Sequence, residues 1–263
     1  MYNPPAYVWA VILAGTIGVP TLTSIALYRG ATAAGIGRRS ALLLGTIAAA
    51  LLGGWLVVSG VIAGHGWYNT PLGQQPPWLL IAVVGVTVAL LAATRIPAAA
   101  SAIAAPGTLV RLHEPHTIRV AGIVFLLMMA LGHLPALFAL PAGLGDMATG
   151  IAAPFVARRL ANGTGHRAAV WFNALGIADL VVALTIGGLT SLQLIAVTPS
   201  AQAIAELPLA LIPTTTVPLL LTLHITSLRR LAGESVRLSG LVSVRARART
   251  VSTGSATARK EVP

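Results

Sequence analysis

There is no cysteine in these 263 residues, and charge is scarce: 9% of the chain is charged, with six acidic side chains in all. The missing thiols exclude disulfides, thiolate metal sites and cysteine-ligated iron–sulfur clusters, and they leave the redox compartment undetermined. The scarcity of charge excludes an ordinary water-facing surface, because soluble domains carry about 25% charged residues. Lysine is nearly absent too, all but one of the 17 basic residues being Arg. Also lacking are a P-loop, a dinucleotide fingerprint and any serine or cysteine nucleophile constellation. No cofactor is expected.

What is present is apolar sequence: 56% hydrophobic residues, a mean hydropathy of +0.85, and several runs near the roughly 20 residues that cross a bilayer. The expected fold is all-α, a polytopic membrane helix bundle. Seven transmembrane helices are expected, over about 7–28, 41–63, 78–93, 118–140, 143–157, 168–188 and 198–228. A basic, disordered tail is expected over 232–263. The net charge of +11 then reads as topology rather than as affinity for nucleic acid. Every Lys and Arg falls in the loops after spans 1, 3, 5 and 7, which places the N-terminus outside and the C-terminus in the cytoplasm. The Arg and Ala bias suits a GC-rich bacterial genome, and hence a bacterial cytoplasmic membrane. MYNPPAYVW carries no basic n-region, so the first span is expected to be retained.

Pro20, with Gly15 and Gly18, predicts a kink in span 1. Gly60 and Gly64 form a small-xxx-small pair for close packing. Trp67, Tyr68 and Trp78 are expected in an interfacial aromatic belt, with His65 solvated beside them. The Ala-rich piece between Arg95 and Arg111 is expected to rest at the interface. His113-Glu-Pro-His116 lacks the zincin spacing and reads as a cytoplasmic loop. Thr198-Pro199 reads as the N-cap and N1 of span 7, a helix crossed by Pro208, Pro213 and Pro218. In the tail, Arg245, Arg247 and Arg249 are candidates for anionic lipid headgroups.

Ionisable residues within spans are functional candidates by default. Measured at 1.5 Å per residue from the nearest cytoplasmic arginine, His133 lies roughly 21 Å deep, Asp146 and Asp179 roughly 18 Å, and Thr215 roughly 21 Å. The expected site is therefore one layer of His133, Asp146, Asp179 and Thr215, with Glu206 nearby, able to bind a proton, an ion or a ligand. With Arg119 counted as the cytoplasmic edge of span 4, no span contains a Lys or Arg, so these acids are expected to face no basic partner. His133, Asp146 and Asp179 also have admissible chemistry for a metal. His224, roughly 7.5 Å from the edge, is expected to snorkel or hydrogen-bond at the inner interface.

The stretch from PALFALPAGLGD through NALGIADLVVAL to LPLALIPTTTVPLLLTLHITSLRRL resembles an uncharacterised family of bacterial integral membrane proteins. The resemblance covers roughly residues 133–231. It implies membrane class and topology and carries no activity. From the residues themselves the reading leans to proton- or ion-coupled transport of a small solute. A membrane-embedded metalloenzyme and a structural or assembly subunit are the alternatives.

Overall fold

In a computed structural model, which describes residues 3–69 and 76–233, the chain is all-helical apart from turns and short irregular segments. The basic tail, with Arg245, Arg247 and Arg249, lies outside the described residues. Helices α1 (Ala6–Ala33), α2 (Arg38–Gly64) and α3 (Trp78–Ala93) come first, then short α4 (Pro97–Ala104) and α5 (Thr108–Arg111). A 3-10 segment, Glu114–Gly122, leads into α6 (Ile123–Ala130); α7 (Ala136–Ala161) and α8 (His166–Ser191) follow. After a 3-10 turn at Gln202–Ala205 and a π-helical turn at Ile212–Thr216, the last described helix, α9, occupies residues 217–233.

Four of these helices, α1, α2, α7 and α8, are long and apolar enough to cross a membrane; α3 and α4, bent by 78°, form a fifth candidate as a pair. Their outward faces carry bare apolar side chains such as Leu51 (70% exposed), Trp171 (65%) and Phe155 (58%). Contiguous exposed apolar surface on this scale fits contact with lipid.

Two boundaries differ from the sequence expectation. The turn expected near residues 141–142 lies instead at 131–135, and α7 runs unbroken through Pro141. The chain reverses where Gly132 adopts φ +75°. There the amide of His133 donates to Met128 O and that of Gly132 to Met129 O, both at 2.9 Å. That pair of bonds is the glycine-centred helix stop known as the Schellman motif.

The second difference is in span 7. Thr198-Pro199 does not start a helix; that bond and Leu207-Pro208 are both cis. Apart from the 3-10 turn at Gln202–Ala205, the chain packs inward without regular structure, burying Ala201, Ile204 and Leu209 in the core beside Phe138. Helix begins only at the π turn. Pro218 has no amide to offer the carbonyl four residues back, Thr214 O. The Trp55 indole of α2 donates to that oxygen at 2.8 Å, while Ser59 and Thr214 hydroxyls meet at 2.6 Å. A proline break inside the bundle is thus closed by side chains of a neighbouring helix.

Tyr68, expected in the aromatic belt, is buried (5% exposed) and its hydroxyl lies 3.2 Å from Ser59 Oγ, whereas Trp67 and Trp78 are exposed. The Arg95–Arg111 piece forms α4 and α5. α4 lies along α1, where Ala31, Ala41 and Ala102 pack together. Arg230 of α9 donates to Ile103 O at its end.

Candidate functional site

The 3-10 segment carries the centre of the molecule. A 3-10 helix has three residues per turn, so residues three apart share one stripe. Here His113, His116, Arg119 and Gly122 follow that spacing, and all four are buried. His113 and His116 are 0% exposed and Arg119 is 3% exposed. The reading of His113-Glu-Pro-His116 as a cytoplasmic loop is therefore corrected. Gly122 completes the stripe because α7 crosses it too closely for a side chain: a Cβ there would overlap the Cβ of Asp146.

Arg119 stands between the two aspartates. Its Nε and Nη2 both reach Asp146 Oδ1 at 2.7 Å, and Nη2 donates to Asp179 Oδ2 at 2.5 Å. Its third nitrogen, Nη1, donates to His224 Nε2 at 3.2 Å. The expectation that these acids lack a basic partner is overturned. Position along the sequence puts Arg119 at the cytoplasmic edge of a span, whereas the 3-10 segment folds it into the interior. Charged, planar and multidentate, guanidinium is the cation best suited to hold two carboxylates at once.

From Arg119 a directed chain of hydrogen bonds continues. His224 accepts from Arg119 at Nε2, so its proton sits on Nδ1, which donates to Asn173 Oδ1 at 2.8 Å. Asn173 Nδ2 donates to His113 Nε2 at 3.1 Å and to Ala169 O at 2.7 Å. His113 Nδ1 in turn donates to Leu109 O at 2.8 Å. Each bond sets the tautomer of the next ring, and every member of the chain is fully buried. Burial holds His113 below the ordinary histidine range, an effect the bond to Leu109 only partly offsets. His116 stacks on His224 with ring centroids 3.9 Å apart, and both rings pack against Phe172 at 5.5 Å. Neither ring nitrogen of His116 has a hydrogen-bond partner among the described residues. Gly176 makes room for this stack, since a Cβ there would overlap the His224 imidazole. His224 is therefore a member of the interior network rather than an interfacial residue.

The charge of this centre does not balance. One guanidinium faces two carboxylates, and His224 with its acceptor nitrogen toward Arg119 is neutral. Protonation of Nε2 would set two donors against each other. The centre is thus one proton or one monovalent cation short of neutrality, and the place for that charge is on the carboxylates.

The sequence-derived candidates separate. Asp146 and Asp179 come together, through Arg119. His133 lies exposed in the turn between α6 and α7, where its backbone closes the helix stop. Thr215 is buried in the π turn with its hydroxyl on Leu211 O at 2.5 Å. Its neighbour Thr216 shares a small cavity of about 40 Å³ with Arg119 and Asp146. Glu206 lies elsewhere, accepting from Asn69 Nδ2 at 2.9 Å, while Gln202 donates to Asn69 Oδ1 at 2.7 Å. Arg119, His113, His116, Asn173 and His224 were missed as site residues. The period-three stripe of His113, His116, Arg119 and Gly122 was the signal available for three of them. Asn173 lies one turn from Gly176 on a small-residue face and gave no signal of its own.

For a metal, His133 is not beside the two aspartates, and Arg119 occupies the space between the carboxylates. Among the described residues no group of three or more His, Asp or Glu side chains is gathered as a metal ion would need.

The chain belongs to the family described as Domain of unknown function (DUF8737), whose model matches residues 76–232. That span contains every member of the centre. Neither a curated protein nor a solved structure matches the chain.

Proposed function

We propose that the protein is a multi-pass carrier of the bacterial cytoplasmic membrane, moving a small solute in step with a proton held at Asp146 and Asp179. The observation that carries this reading is the buried Arg119, paired with two carboxylates at once. A centre one charge short of neutrality in a low-dielectric interior takes up a proton or a cation, and a carboxylate can give either one back. A centre meant only to clamp helices would be better served by balanced or uncharged groups. The broken helix beside it, with its π turn at Ile212–Thr216, is the kind of element around which carriers rearrange.

In this reading seven segments cross the bilayer. They are α1, α2, α3, the 3-10 segment with α6, α7, α8, and the π turn with α9. The exposed arginines at the ends of these segments lie on the cytoplasmic side. They and the tail would meet anionic lipid headgroups there.

The test is reconstitution of the full chain in vesicles that hold a pH-sensitive dye. Small solutes, neutral and charged, are added one class at a time; at least one is expected to move protons across the membrane, and Asp179→Asn to abolish that movement. Proton flux that no solute raises above the level in protein-free vesicles would overturn the reading.

A further inference from the structure

Beside the centre is a larger cavity of about 260 Å³, between α3 and α8. Val84 of α3, Ala183 of α8 and the rings of Phe125 and Phe138 line it, with the Tyr68 phenol and the Asp146 carboxylate as its ionisable groups. Both bonds from Arg119 to Asp146 land on Oδ1, so Oδ2 keeps acceptor capacity that Arg119 does not use. The mouth opens between apolar surfaces: Leu80 and Val84 of α3 and Leu192 line the cavity and are themselves exposed at 59%, 52% and 38%. The two phenylalanine rings stand edge to face with centroids 5.3 Å apart, and such faces attract a cation as well as apolar groups.

From these observations we infer that the cavity binds a monovalent organic cation with an apolar body, its charged head against Asp146. The apolar walls and mouth select the body, and the uncompensated charge of the centre selects the sign. An anion would meet a carboxylate rather than a guanidinium, because all three nitrogens of Arg119 are engaged. The size suits one aromatic ring with a short ammonium arm, since a cavity of about 150 Å³ already admits benzene. The inference rests on the carrier reading and deepens it. Proton and organic cation would neutralise the same carboxylate, so only one is held at a time. That makes the exchange of one for the other the coupling step.

The test is equilibrium binding of benzyltrimethylammonium to the full chain in lipid nanodiscs, with neopentylbenzene as its neutral isostere and empty nanodiscs as the blank. One cation is expected to bind per chain. Its affinity should rise with pH by up to about tenfold per unit where the proton competes, with up to one proton released per cation bound. Asp146→Asn should weaken cation binding at least about tenfold, the loss of one charge partner. Val84→Trp adds bulk at the α3 wall of the cavity. It should weaken binding as much while the melting temperature stays at the wild-type value, so the inference is testable even if Asp146→Asn does not fold. Binding that is independent of pH, equal for the neutral isostere, or undiminished in Val84→Trp would overturn the site and mark the cavity as a slot for lipid chains. Solute-driven proton flux in vesicles without cation binding would overturn this site and spare the carrier reading; cation binding with no solute-driven proton flux would do the reverse.

Discussion

At the scale of single residues, Arg119 decides most of the interior chemistry. Removing one partner of a buried charge network leaves the others uncompensated, at a cost of about 3–5 kcal/mol. Arg119→Met is therefore expected to lower the unfolding free energy by about that much in detergent. Adding Asp146→Asn and Asp179→Asn should restore most of it, because the charges then vanish together. A triple variant no better than Arg119→Met would show that the guanidinium acts through packing alone. His116 makes an opposite prediction. Its ring is stacked on His224, yet both nitrogens are without partners. Since a buried unsatisfied polar group costs about 1–3 kcal/mol, His116→Phe should preserve the stack and match or exceed wild-type stability in thermal melts. His113 supplies a pH dependence. Its folded value is held below the ordinary histidine value, so below about pH 6.5 the unfolded chain binds the proton more readily than the folded one. Its contribution to stability is complete above that pH and is lost as pH falls toward the lower folded value. Melts of wild type and His113→Gln at neutral and mildly acidic pH should show a steeper acid loss in wild type.

At the scale of elements, the 3-10 segment and the π turn are the two departures from plain α-helix that build the site. The first lines up His113, His116 and Arg119 on one stripe. In an α-helix, at 100° per residue, each step of three falls about 60° short of a full turn, so the three would spread over about 120° around the axis. The second leaves Thr214 O to be served by Trp55. Trp55→Phe keeps the ring and removes the donor, so it should cost about 1–3 kcal/mol. Pro218→Ala returns a backbone amide near that carbonyl. In that background the same change at Trp55 should cost clearly less, which a double-mutant cycle on unfolding free energies would read out. Equal costs in both backgrounds would detach Trp55 from the proline break.

For the whole molecule, the arrangement of charge is the testable statement. The chain has no cysteine, so single cysteines report location without background. Arg159→Cys, at the end of α7, should react with a membrane-impermeant maleimide only after cells are opened. His65→Cys, in the exposed turn after α2, should react in intact cells. Reaction of both from the same side would break the proposed seven-crossing topology.

Composition and hydropathy were sufficient for the all-helical architecture and for α1, α2, α3 and α8, because long apolar runs with turn glycines and terminal arginines are local signals. They also sufficed to single out Asp146 and Asp179, since a carboxylate in an apolar helix is conspicuous at any position. What only the tertiary structure decided was the partner of those acids. Distance along the chain places Arg119 at the edge of a span, 27 residues before Asp146 and 60 before Asp179. Its burial depends on a nine-residue 3-10 segment that α7 and α1 pack over, with α7 and α8 supplying the counter-charges. The same holds for His224 and Asn173, ordinary residues in sequence that become a hydrogen-bond chain once three helices meet. Depth counted from arginines failed for His133 because it assumed that every arginine faces water, and the energy of a paired, buried charge is a property of the assembled interior alone.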